Sequence, residues 1–351
     1  MVSFYPGPSK LNPELAHYIQ DALAEGILSE NHRSPAFLTL HESTVTTIKK
    51  HLQVPASYSI YFVSSATECW EILSQDLTGL KQLHLYNGSF GEKGYQYNKA
   101  LNATSCFGVS FSQEESLPLS STDVFKPEVI HLTHNETSNG TELTAQNLVT
   151  IRKEWPQAFI TVDATSSLGG QNIDLSQADV WFASVQKCFG LPSGMALLIC
   201  SERIVLHCIK SPSPFYNSIS KQEEQYRQQQ TTHTPNTLGI YLLYKSLQHS
   251  PSLVEVSTKL KTQANDWYTL LEKHALFQPL IASNDHRSST VIAVKGETAN
   301  IERLKKACRD QGFILGNGYG TFKDTTFRIA NFPAHHSDEI KKLQALIANF
   351  S

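Results

Sequence analysis

Short apolar runs closed by polar, Gly or Pro residues alternate along this chain with longer stretches whose apolar residues recur every three or four positions. Runs of about four to eight apolar residues fit strands buried on both faces of a sheet, and the longer periodic stretches fit amphipathic helices. Three short runs crowd one segment, FITVDATSSLGGQNIDLSQADVWFASVQKCFGLPSGMALLIC. Phe159 to Val162 runs into Asp163, Val180 to Val185 runs into Gln186 and Lys187, and Met195 to Cys200 follows a Gly-Leu-Pro-Ser-Gly turn. Upstream, Tyr58 to Val63, His84 to Asn87 and Val129 to Thr133 read as further strands. Ser64-Ser65-Ala66-Thr67 opens a helix carrying Trp70, Ile72 and Leu73, and another helix runs from about Thr144 to Trp155, where Pro156 stops it. This alternation from Tyr58 to Cys200 predicts an α/β fold with a mainly parallel sheet flanked by helices.

The ends of the chain follow other patterns. Phe4 to Pro8 is an extended, proline-broken arm. Asn12-Pro13-Glu14 then starts a helix with Leu15, Tyr18, Ile19 and Leu23 on one face and Gly26 as its stop. Ser213 to Asn236, with KQEEQYRQQQ in its middle, reads as a surface loop or flexible lid. From about Ser250 a long helix extends to about His274. A strand at Thr290 to Val294, a helix at Ala299 to Gln311 and strands at Phe313 to Leu315 and Thr326 to Ile329 follow. Ser337 caps a closing helix that carries Asp338 and Glu339 in its first turn. Two domains are expected: a large α/β unit at 15–250, and a smaller α+β unit at 251–351 joined by the arm 1–14.

With 351 residues, a formal net charge of -3 and 14 histidines counted neutral, the chain has no electrostatic reason to bind nucleic acid. No stretch approaches eighteen uninterrupted apolar residues, and the start lacks a charged-then-apolar signal pattern. A cytoplasmic protein with small-molecule partners and no membrane contact is expected. The six cysteines (Cys69, Cys106, Cys188, Cys200, Cys208, Cys308) show no C-x-x-C spacing, which argues for buried free thiols and against a metal site.

Asp163 and Lys187 fall at or just past predicted strand ends, where open α/β sheets place ligands. A carboxylate and an amine facing one crevice suit pyridoxal 5'-phosphate. The lysine carries the cofactor, and the carboxylate keeps the pyridine nitrogen protonated so that the ring can draw electrons. A plain structural ion pair is the competing reading of two such charges.

Four segments carry a resemblance. HRSPAF (His32 to Phe37), HNETSNG (His134 to Gly140), VDATSSLGG (Val162 to Gly170) and SVQKCFGLPSG (Ser184 to Gly194) occur in the order found in the class V aminotransferases of fold type I. They most resemble the phosphoserine aminotransferases, which move the amino group of glutamate to 3-phosphohydroxypyruvate, giving phosphoserine and 2-oxoglutarate. The resemblance implies that Lys187 and Asp163 are catalytic and hold pyridoxal phosphate. It also implies that Ala66, Thr67 and Gln186 help hold the cofactor phosphate, that Phe90 stacks on the ring and that Thr137 hydrogen-bonds the cofactor. By the same likeness His233 and Thr234 reach across a homodimer to the neighbour's cofactor phosphate. Arg328 takes the substrate α-carboxylate, His32 and Arg33 lie near its distal acidic group, and the arm packs with the C-terminal part, Gly7-Pro8 lying close to the substrate.

Three rival readings stand beside this one. HRSPAF and GYGTFKDTTFRI (Gly318 to Ile329) also resemble the alanine- and serine-glyoxylate, or serine-pyruvate, aminotransferases. Phosphoserine enzymes commonly add a His-Arg pair just before the α-carboxylate arginine, and none stands between Gly318 and Arg328. Cysteine desulfurases usually carry histidine where Gln186 stands and a nucleophilic cysteine on a mobile loop, whereas Cys308 falls in a predicted helix. A non-catalytic, partner-binding descendant would have no use for Lys187, Asp163 and Arg328 together.

Overall fold

The computed structural model describes residues 1–119 and 125–351. Seven strands form its larger sheet, in the order Ser59–Val63, Ala196–Cys200, Val180–Ser184, Phe159–Asp163, Val129–Thr133, Gln82–Tyr86 and Cys106–Ser110. Ala196–Cys200 runs antiparallel to both of its neighbours, and every other pairing is parallel. The sheet is mainly parallel, as the alternation predicts.

Both faces of this sheet are covered, which explains the unbroken apolar runs. Ile60, Phe62, Trp181 and Ile199 point into one core with Phe37, Ile48, Ile240 and Leu243. Their alternating neighbours Tyr61, Val63, Phe182 and Leu198 enter a second core with Trp70, Ile72, Leu73 and Val205. Burying alternate side chains in opposite layers demands apolar residues at every position of a central strand.

A five-stranded sheet follows, ordered Val2–Phe4, Phe313–Asn317, Thr326–Ala330, Val291–Gly296 and Phe277–Pro279. The arm joins it through a parallel pairing of Val2 to Phe4 with Phe313 to Leu315. A separate core of Phe4, Trp267, Phe277, Leu304, Phe327 and Leu343 forms between this sheet and its helices.

Several expectations need correction. The helix Leu15–Ala24 buries Leu15, Tyr18 and Ala22 but leaves Leu23 exposed. His336, not Ser337, is the N-cap residue of the closing helix Ser337–Ala348, and its N–H donates to the Glu339 carboxylate at 2.9 Å. The helix Pro35–Leu52 has no counterpart in the sequence reading, because its buried stripe is broken by His41 and Thr44. The polar stretch Ser213 to Asn236 is not a loop throughout. It contains the helix Ile219–Tyr226, capped by Ser218 and packed on the sheet through Ile219, Gln222 and Glu223.

That packing is polar. The buried Glu223 carboxylate accepts from Ser59 Oγ at 2.7 Å and Tyr61 Oη at 2.8 Å. Arg227 Nε donates to its other oxygen at 2.8 Å. Removing the acceptor leaves buried hydroxyls without partners, at about 1–3 kcal/mol. Glu223→Ala is expected to lower unfolding free energy by that amount in urea titration of the cofactor-loaded protein. A loss below about 0.5 kcal/mol would mean that the hydroxyls are satisfied otherwise.

Candidate active site

Three neighbouring parallel strands deliver their last residues to one edge of the larger sheet. Thr133, Asp163 and Ser184 end Val129–Thr133, Phe159–Asp163 and Val180–Ser184, with Thr133 paired directly to Asp163. The chain turns after Ser184 and sets Gln186 and Lys187 beside them. Residues from both sheets enclose a cleft here, lined among others by Gly7, Ala66, Thr67, Trp70, Phe90, Thr137, Asp163, Gln186, Lys187 and Arg328.

Lys187 is buried, and its Nζ donates to Thr137 Oγ1 at 2.8 Å and Ser166 Oγ at 2.9 Å. Burial, with Arg328 adding to it, pulls its pKa down to about 8 against the opposing pull of Asp163 and Glu136. Gly7 packs on the lysine stem. Its φ of +151° suits glycine, and a Cβ there would come within 2.9 Å of Lys187 Cε.

Asp163 accepts the Thr165 backbone N–H at 2.9 Å. Burial pushes its carboxyl up, while Thr165, the Lys187 charge and the Trp70 indole hold it down. Asp163 and Lys187 make no direct ion pair. Each is held instead by neutral groups, so the structural ion pair is not what forms.

Arg328 lies on the strand Thr326–Ala330 and is 3% exposed. Its Nη1 donates to the Thr137 carbonyl and its Nε to the Asn317 carbonyl, both at 2.8 Å. Phe90, in the first turn of the helix Ser89–Leu101, has Lys187 Nζ 5.3 Å from its ring centroid. Ala66 and Thr67 begin the helix Ala66–Asp76, capped by Ser65. The Ala66 N–H is already engaged by Ser184 Oγ at 2.9 Å. That hydroxyl shares the amide the resemblance assigns to a phosphate.

Not every expected residue joins the cleft. His32, Arg33, His233 and Thr234 do not line it within one chain. Burial, with smaller contributions from Arg33 and His233, holds His32 below its ordinary pKa. Cys308 is fully buried in the helix Thr298–Asp310, and burial pushes its thiol up to about 12, so it is no mobile nucleophile.

The sequence reading gave no role to Thr133, Asn135, Ser166, Lys93, Trp70 or Tyr319. Ser166 stands inside the VDATSSLGG segment, whose run of hydroxyls was a visible signal. Tyr319 and Lys93 meet only through the fold. Lys93 Nζ donates to Tyr319 Oη at 2.6 Å, 226 positions away in the chain.

The cleft carries more positive than negative charge. Lys93, Lys187 and Arg328 line it, with Asp163 as the lone acid among its lining residues. Buried oxygens of three residues there, Thr133 Oγ1, Asn135 Oδ1 and Gln186 Oε1, have no hydrogen-bond partner. A site with a buried amine, a separated carboxylate, an aromatic face, a helix N-terminus and unpartnered polar oxygens fits pyridoxal phosphate.

The sequence pattern of the class-V aminotransferases matches residues 120–330. The chain belongs to the class-V aminotransferases. These enzymes depend on pyridoxal 5'-phosphate, and the residues above fit that cofactor. Among solved structures, a phosphoserine aminotransferase from Cytophaga hutchinsonii superposes with a TM-score of 0.91 at 31% identity, covering 98% of this chain and 97% of that one. Phosphoserine aminotransferase from Corynebacterium glutamicum (strain R) is 26% identical over 97% of this chain and 92% of its own length. An alanine–glyoxylate aminotransferase from Nostoc sp. shares the fold, with a TM-score of 0.84 at 18% identity over 99% of this chain and 94% of that one. As class-V aminotransferases, the fold-type I relatives share this chain's layered α/β architecture.

A depressed amine pKa has a measurable consequence. A lysine must be uncharged to capture a carbonyl, so the competent fraction grows as pH rises through the folded value. Cofactor-free protein is expected to take up pyridoxal phosphate at a rate that rises through about pH 8 and levels off above it. The visible absorbance band reports the uptake. Lys187→Ala should show no such band, and an unchanged spectrum in that variant would remove Lys187 from the role.

Proposed function

We propose that this aminotransferase acts on phosphoserine, exchanging its amino group with 2-oxoglutarate to give 3-phosphohydroxypyruvate and glutamate, reversibly. The observation that carries the reading is the charge of the cleft. Arg328 and Lys93 both face it, and neither forms an ion pair among the described residues. Two unneutralised cations suit a substrate with two anionic ends, as phosphoserine and glutamate both have. Alanine, serine and glyoxylate offer only one. The names of the relatives at 31% and 26% identity support the same assignment.

Bound pyridoxal phosphate supplies the electron sink that lets a proton leave the substrate α-carbon. The chain does the rest. Arg328 is already fixed by two carbonyls and presents its remaining guanidinium donors to the α-carboxylate. Lys187 Nζ, with its pKa near 8, removes the proton from the α-carbon and returns one later. Thr137 and Ser166 hold that nitrogen in place. Asp163 would hold the ring-nitrogen end of the cofactor through its carboxylate, and Phe90 would give the ring a flat apolar face.

Two structural proposals accompany this. The larger unit at 15–250 carries the cofactor, and 251–351 with the arm 1–14 closes on the substrate. A second copy of the chain completes each cleft with His32, Arg33, His233 and Thr234, which stand outside their own. Tyr216, 63% exposed with its ring edge-on to His233, and its chain neighbour Phe215, 46% exposed, support the idea that a copy covers this region. No helix among the described residues is long and apolar enough to cross a membrane, which is compatible with a cytoplasmic location.

Half-reactions of one purified sample with phosphoserine, glutamate, alanine and serine, followed by the visible spectrum, test the reading. Phosphoserine and glutamate are expected to give the highest kcat/KM. Faster conversion by alanine or serine would transfer the assignment to the glyoxylate-using relatives. Arg328→Ala should lower kcat/KM about a hundredfold for all four, since each has an α-carboxylate.

A further inference from the structure

We infer that Lys93 is a specificity-determining cation that binds the distal anionic group of the substrate. This rests on the phosphoserine reading above and assigns that reading a residue. Of the three cations that a single chain sets in the cleft, Lys187 is committed to the cofactor and Arg328 to the α-carboxylate. That leaves Lys93, which acts beside His32 and Arg33 of the second copy.

Its placement is specific. Lys93 stands on the first turns of the helix Ser89–Leu101 and is exposed at the cleft, so its charge costs little desolvation. A lysine in open solvent samples many rotamers, but this one is tethered. Its Nζ donates to Tyr319 Oη at 2.6 Å and lies 5.2 Å from the Tyr319 ring centroid and 5.4 Å from that of Phe90. The two rings are themselves stacked, with centroids 5.2 Å apart. The Tyr319 hydroxyl holds the ammonium at the end of its ring, and neither this phenol nor the Phe90 ring neutralises it, so the ammonium keeps its full attraction for an anion.

The donors match a phosphate. The ammonium spends one N–H on the phenol oxygen and keeps two, while the phenol keeps its own O–H to donate. A tetrahedral group with three anionic oxygens can accept from both residues at once. Tyr319 also sets the spacing. Arg328 Cζ lies 5.3 Å from the same ring centroid, so one phenol ring holds both the α-carboxylate cation and Lys93. That spacing suits a short substrate with an acidic group at each end. Lys93 thereby stands in for the His-Arg pair missing between Gly318 and Arg328.

The test compares Lys93→Met, Lys93→Arg and wild type, each loaded with cofactor, in half-reactions with phosphoserine and alanine. Lys93→Met is expected to lower the ratio of kcat/KM for phosphoserine over alanine roughly tenfold to a hundredfold, through KM more than kcat. Lys93→Arg should recover most of that ratio, because it restores the charge. Raising salt should shrink the difference between wild type and Lys93→Met. If wild type converts phosphoserine well and the ratio in Lys93→Met moves less than about threefold, the role of Lys93 is overturned while the substrate reading stands. If wild type itself does not convert phosphoserine, the substrate reading falls and takes this inference with it.

Discussion

Everything in this molecule turns on one electrostatic arrangement: a buried amine and a buried carboxylate brought to the same cleft but kept from neutralising each other. Lys187 is bound by the hydroxyls of Thr137 and Ser166, and Asp163 by the Thr165 N–H. Charges removed from water are costly unless paired and hydrogen-bonded. Two opposite charges in one pocket would ordinarily close on each other. Neutral donors and acceptors hold these apart, and a ring with a protonated nitrogen at one side and a carbonyl at the other can occupy the space between. The parallel sheet is what makes this possible, since it is buried on both faces and leaves only the carboxyl edges of its strands open for polar chemistry.

The second sheet is tied to the first through the same few residues. Thr290 Oγ1 donates to the Ser166 carbonyl at 2.6 Å, and Asn135 Nδ2 donates to Ser288 Oγ at 2.7 Å. Arg328 reaches the Thr137 carbonyl from the other side. Thr137 and Ser166 are therefore shared: their hydroxyls hold the lysine while their carbonyls hold the C-terminal part. A shift of the smaller sheet therefore moves the Arg328 guanidinium and the supports of the amine together. Gly7 adds a third tie, because the arm that pairs with Phe313–Leu315 also packs on the Lys187 stem.

How much of this the sequence showed follows from where each signal resides. Strands such as Val129–Thr133 and Val180–Ser184 were legible because two-sided burial forces unbroken apolar runs. Pro35–Leu52 and Ile219–Tyr226 were not, because each buries polar side chains. His41 fills a core position as a neutral imidazole, its pKa pushed down to about 4 by burial, and Glu223 satisfies its carboxylate with hydroxyls from the sheet. A residue-by-residue pattern scores such positions as surface. In the site, Lys187 and Asp163 were readable from residue type at strand ends. Arg328, Phe90 and Thr137 were readable only through resemblance. Tyr319 carries no local mark at all, and its importance arises because the fold sets it against Phe90, Lys93 and Arg328.

Arg328 and Lys93, the two cations of the cleft besides Lys187, illustrate a division that burial imposes. Arg328 is buried, so its charge is tolerated only because backbone carbonyls hold it, and those same bonds fix the orientation of its planar guanidinium. Lys93 is exposed, needs no such support, and keeps a compact ammonium that can adjust to a tetrahedral or a planar anion alike. The proposed reaction uses two amino donors in alternate half-reactions, phosphoserine and glutamate, both with an α-carboxylate but with different distal groups. Under the proposed roles, a rigid guanidinium for the shared group and a tethered but unburied ammonium for the differing one would meet that demand with a single cleft. The Tyr319 ring lies by both cations, its centroid 5.3 Å from Arg328 Cζ and 5.2 Å from Lys93 Nζ.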